Sequence, residues 1–233
     1  MSRTRDLNVE RVNESHANGR ISDEILKLFY ERLPVLDRVI VVVEKASGVP
    51  YPLIIFEPAL LKIKYPSATF AETVIYASTK IEKLNGSYQL YVQLSLPFLL
   101  FASEDLLKAA LAHEFLHYVL FTVALSKKSF TTLSGERLDS PEVHMAFDDT
   151  HVASAEEWLT DRELVDLIKA KFNPVISDKT LEADIKNKWE DIHLPVREIT
   201  AGDSALSIPI LELSKIPLDE SIVRLSRSQE QGR

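Results

Sequence analysis

His113-Glu114-Phe115-Leu116-His117 sets two imidazoles four residues apart, with a carboxylate beside the first. On an α-helix that spacing puts both histidines on one face, one turn apart. Both rings can then reach a single metal ion at about 2.0–2.1 Å. Glu114 points just off the ion. There it can take a proton from water that the ion activates, without binding the ion itself. The pattern is HExxH, and the ion it predicts is Zn2+. The competing reading is a pair of core histidines bonded to backbone or carboxylates. Context favours the metal. From Leu106 to Leu125 the helix is apolar nearly all round, which marks it as buried. Burying two histidines and a glutamate without partners would cost several kcal/mol.

A catalytic zinc site uses three protein ligands and keeps a fourth position open. The chain has no cysteine, so the third ligand must be His, Glu or Asp. The segment AEEWLTDR offers Glu157 and Asp161, expected on one face of a helix. Glu157 can bind the ion, and Asp161 can hydrogen-bond the outer nitrogen of a ligating histidine. Another reading makes Ser154 and Glu157 a capping box, in which Glu157 only closes a helix end. His151 and His144, 34 and 27 residues after His117, are rival ligands. Glu156 reads as a solvated acid of the first turn.

HExxH followed by a helix with Glu-x-x-x-Asp resembles the gluzincin metallopeptidases. The form Glu-x-x-(small)-Asp-Arg, Glu157 to Arg162, is similar to the thermolysin-like and HtpX-like families. The resemblance implies a zincin-like fold, Glu157 as third ligand and Asp161 as support for His113. The run YVQLSLPFLLFASEDLLKAALAHEFLH reads like the strand, loop and active-site helix of the HtpX-like group. Departures are clear. The transmembrane helices of that group are missing. Glu156 stands where thermolysin-like enzymes have Asn. The 39 residues between His117 and Glu157 are a substantial insertion. A histidine as third ligand would instead resemble the SprT-like metalloproteases. The metzincin pattern is excluded, since Val123 occupies the position six after His117.

A peptidase often adds a donor that stabilises the oxyanion. His193 is the candidate here, with Arg197 close in sequence. Tyr118 reads as a packing residue, and Trp158 as core or pocket wall.

Other elements must position these groups. Residues 1–19 are polar and without period, expected as a flexible arm. A helix is expected from Ile21 to Leu33, opened by Ser22 and Asp23 and stopped by Pro34. Strands are expected over 38–44 (containing VIVVV), 51–56, 71–77 and 88–94, the last after an Asn85-Gly86-Ser87 turn. Residues 59–64 suggest a short helix. Ser103 caps the HExxH helix, with Glu104 and Asp105 in its first turn. Residues 127–152 read as a long loop. Helices are expected over 154–171 and 178–191, the first ended by Asn173-Pro174. Residues 205–213 read as extended.

The 233 residues are 45% hydrophobic and 27% charged, enough for one globular domain without disulfides. Residues 20–203 form that expected domain, and 204–233 a C-terminal tail. The fold class is α+β: a small mixed sheet packed on the HExxH helix and on a second, Glu-bearing helix. A net charge of -8 argues against a nucleic-acid partner. The N-terminus lacks the apolar run of a signal peptide, and no stretch reads as a membrane span, so a cytoplasmic location is expected. The expected function is a zinc-dependent endopeptidase acting on peptide or protein substrates. The alternative is a catalytically silent zinc-binding regulatory or interaction protein. The apolar tail can self-occlude a cleft or join two copies.

Overall fold

The computed structural model describes residues 7–64, 73–128, 153–172, 179–200 and 210–231. In chain order the elements are β1 (Leu7–Asn8), α1 (Glu10–Ala17), α2 (Asp23–Ser47), β2 (Ile54–Glu57), β3 (Leu60–Lys64), β4 (Thr73–Ile75), β5 (Ala77–Leu84), β6 (Ser87–Ser95), α3 (Leu96–Phe101), α4 (Glu104–Ser126), α5 (Ala155–Trp158), α6 (Arg162–Lys171), α7 (Lys179–Asp191), β7 (Val196–Thr200), α8 (Ile210–Leu213) and α9 (Glu220–Gln231). The fold class is α+β, with two small mixed sheets. One sheet has the order β1-β2-β6-β5, the other β4-β3-β7.

α4 carries HExxH and lies at the centre. Ser103 accepts from Leu106 N at 3.2 Å, and Glu104 and Asp105 fill the first turn, as the sequence suggested. Nearly every side chain from Leu106 to Val119 is buried. By length and composition alone this helix could cross a membrane, but 78% of its apolar window is buried inside the fold.

One face of the first sheet packs on α2, α3 and α4 through Ile54, Phe56, Val92 and Leu94. Its other face sets polar side chains among the buried Ile55 and Tyr91. There the buried Glu57 accepts from Gln93 Nε2 at 2.9 Å, with Arg11 of α1 at 3.9 Å and Arg197 of β7 at 3.7 Å. These pairs tie α1 and the second sheet to the first.

β5 and β6 form an antiparallel hairpin, with Thr79 opposite Val92 and Ser78 opposite Gln93. Asn85 (φ 49°) and Gly86 (φ 88°) make its turn. Two consecutive left-handed residues suit the twist of a tight hairpin, and Asn-Gly tolerates them best. The turn and β6 are as expected, and β5 is an additional strand. The strand expected at 71–77 lies partly outside the described residues.

The largest correction concerns VIVVV. Residues 38–44 are not a strand. They belong to α2, which runs unbroken through Pro34. Phe29, Leu36, Val39, Ile40 and Val43 are buried along one side. Their spacing of three, four and seven is a helical stripe. Tertiary packing against α4 outweighs both the β-branched propensity and the proline. Residues 60–64, expected as a helix, form β3. A five-residue run gains little as a helix, and here it pairs on both sides, with β4 and β7. The expected arm is ordered from Leu7: β1 pairs with β2, and Val12 of α1 is buried. Residues 210–213 are one helical turn, not extended chain; 204–209 lie outside the described residues.

Replacement of Ile40 by alanine removes a side chain that is 1% exposed, from the α2 stripe. The expected destabilisation is about 2–5 kcal/mol in urea unfolding. A loss under about 0.5 kcal/mol would mean that this run is not packed in the core.

Candidate metal centre

His113, Glu114 and His117 are 7%, 8% and 5% exposed, although all three are polar. The helix spacing brings the two rings together. Their Nε2 atoms are 3.0 Å apart and the rings meet nearly edge to face, at 83°. A carboxylate oxygen of Glu114 joins them, and the three ligand atoms lie within 4.8 Å of one another. Among the described residues this is the one such group of three. Two bonds of about 2.0–2.1 Å meeting at a tetrahedral ion put the nitrogens roughly 3.3 Å apart. The pair fits that demand with a small ring movement. Imidazole nitrogen also suits zinc better than calcium or magnesium.

Two neighbours fix the group from opposite sides. The hydroxyl of Thr79 in β5 lies within donating distance of two Glu114 acceptors, Oε2 at 2.9 Å and the backbone O at 2.8 Å. Phe172, at the end of α6, lies flat on the His113 ring at 4.2 Å and 9°. Phe121 stands farther off, 6.5 Å from the His117 ring. Below them the Tyr51 hydroxyl donates to Leu111 O at 2.9 Å. Burial first, and then the charge of Glu114, hold this phenol well above its ordinary pKa. It therefore stays a protonated donor. None of these neighbours was singled out in the sequence. Thr79 carried a signal: the Asn85-Gly86 turn implies a strand before it, and Ala77, Thr79 and Ile81 alternate on one face. Phe172 carried none.

The second expected helix is broken. α5 is a single turn, Leu159 and Asp161 have extended backbone, and α6 starts after them. Glu157 and Asp161 therefore do not share a helix face. Asp161 is the N-cap of α6 and accepts from Leu164 N at 3.1 Å. Aspartate is among the strongest N-caps, and here the cap restarts the chain after an extended corner. Glu157 is exposed and stands outside the group of three. It lines a cleft of about 290 Å³ with Val119, Val123, Lys127 and Ser226. Its carbonyl accepts from Gln229 of α9 at 3.2 Å. The capping box does not form either, since Ser154 makes no side-chain cap and its hydroxyl points to Glu156. Glu156 is an exposed first-turn acid, paired with Lys169.

His193 is exposed, with φ 54°, in the turn that ends α7; its N–H donates to Glu190 O at 2.9 Å. The left-handed conformation makes it a helix terminator. Arg197 pairs with Glu57 of β2. Neither is placed with the HExxH group. Tyr118 and Trp158 are buried in the cluster beneath α4, as expected of packing residues. His144 and His151 lie outside the described residues.

Wild-type protein is expected to bind about one zinc per chain. His113→Ala and His117→Ala should each lower affinity by at least about 100-fold, because two ligands remain where three are needed. Running Glu157→Ala, His151→Ala and His144→Ala beside them identifies the third ligand: the variant that loses zinc as the histidine variants do. Retention of zinc by His113→Ala would remove α4 from the site. Asp161→Ala should cost about 1 kcal/mol of stability in thermal or urea unfolding, through its cap. An unchanged midpoint would deny that role. No protein-family model, curated protein or solved structure matches the chain.

Proposed function

We propose that the chain is a zinc-dependent endopeptidase with a zincin-like fold. One observation carries the reading: a buried HExxH pair with facing nitrogens, beside a buried glutamate held from the edge strand of the sheet. Two buried imidazole nitrogens 3.0 Å apart on one helix face suit a single shared ion. A metal satisfies both rings at once.

Zinc held by His113 and His117 would polarise a peptide carbonyl and make water a stronger acid. The chain's own residues then divide the work. His113 and His117 present their Nε2 atoms to one point. Glu114 lies next to that point and accepts the proton of the attacking water, then returns it to the leaving amine. Among the described residues β5 pairs only with β6. Its other edge can therefore take an extended peptide through backbone hydrogen bonds. Thr79 lies on that strand, so a peptide added there would run beside the residue that contacts Glu114.

A catalytically silent zinc protein is the second reading, favoured by the place of Glu157 outside the group. The two are separated by chemistry. Glu114→Gln should keep its zinc and lose peptide cleavage by about 10²–10⁴-fold, the usual worth of a general base. The assay uses a quenched-peptide mixture with zinc content measured on the same preparation. Full cleavage by zinc-loaded Glu114→Gln would remove this residue from the mechanism. A wild type loaded with zinc and inert towards peptides would favour the silent reading.

A further inference from the structure

Glu114 has one hydrogen-bond partner for its carboxylate among the described residues, and that partner comes from the sheet. Thr79 sits in β5 with its hydroxyl 2.9 Å from Oε2. A threonine hydroxyl has one proton, and carboxylates are the stronger acceptors. β-branching restricts χ1, so the strand register fixes where the hydroxyl points. That register is firm: Thr79 lies opposite Val92, which is fully buried. The Glu114 carbonyl, 2.8 Å from the same hydroxyl, is a second acceptor for its one proton, and the charged carboxylate is the stronger of the two. An oxygen of the same carboxylate lies within 4.8 Å of the histidine nitrogens.

We propose that Thr79 is the positioning residue for the base. Its hydroxyl occupies Oε2, stops the carboxylate from turning onto a histidine, and leaves Oε1 to receive the proton from water. The proton thus moves from water oxygen to Glu114 Oε1, and the hydroxyl proton stays on Thr79. The strand that would hold the substrate therefore also sets the base. This inference rests on the peptidase reading for its kinetic consequence, but the contact itself does not depend on it.

The test uses Thr79→Val, nearly the same shape without a donor, and Thr79→Ser, which keeps the donor. Zinc content and kcat and KM for peptide cleavage are measured on the full chain. Glutamate-labelled infrared spectra of the metal-free protein follow the Glu114 carboxylate band, identified by its loss in Glu114→Gln. In Thr79→Val the band should shift, zinc should remain, and kcat should fall about 10–100-fold with KM within a factor of three, as for loss of a hydrogen bond to a charged group. Thr79→Ser should restore the band and most of kcat. An unshifted band in Thr79→Val, or a serine variant no better than valine, would overturn the proposal. If the wild type cleaves no peptide, the peptidase reading fails while the band still decides the contact.

Discussion

Burying charge-capable groups inside an apolar helix is the constraint on which the structure depends. α4 is wrapped by α2, α6, α9 and the first sheet, and its middle turns carry His113, Glu114 and His117 in that wrapping. Exposed, the motif would be an ordinary amphipathic stretch. Enclosed, each polar atom needs a partner. The two imidazoles meet each other, and Glu114 meets Thr79. The surrounding elements bury both rings, with their Nε2 atoms 3.0 Å apart.

The two hydrophobic clusters divide the work. One joins α2, α3, the first turns of α4 and the sheet. The other joins the later turns of α4 to α5, α6 and α9. The histidines lie in the second stretch, just past Leu111, where the first cluster ends on α4. β5 closes one side through Thr79, and the end of α6 closes the other through Phe172.

The centre of the site was legible in the sequence because it is local. Ser103, the acidic first turn and the i, i+4 histidines all lie within one helix, and helix geometry alone places them. Asn85-Gly86 gave the hairpin turn for the same reason. What failed was non-local. VIVVV has strand composition, yet its stripe at Leu36, Val39, Ile40 and Val43 packs on α4, and no window of sequence contains α4. Glu157 and Asp161 looked like one helical face because four residues separate them. The extended corner at Leu159–Asp161 breaks that face, and it is held by the bond from Thr160 N to Ala46 O at 2.8 Å, a contact across more than a hundred residues. Phe172 on His113 likewise depends on where α6 ends in space.

The central claim is that α4 offers its two histidines to one zinc ion. X-ray absorption at the zinc edge of the metal-loaded chain tests it most directly. The account predicts a four-coordinate shell with at least two imidazole nitrogens at about 2.0–2.1 Å and at least one oxygen. A protein that retains no zinc after dialysis, or a shell without imidazole scattering, would contradict it.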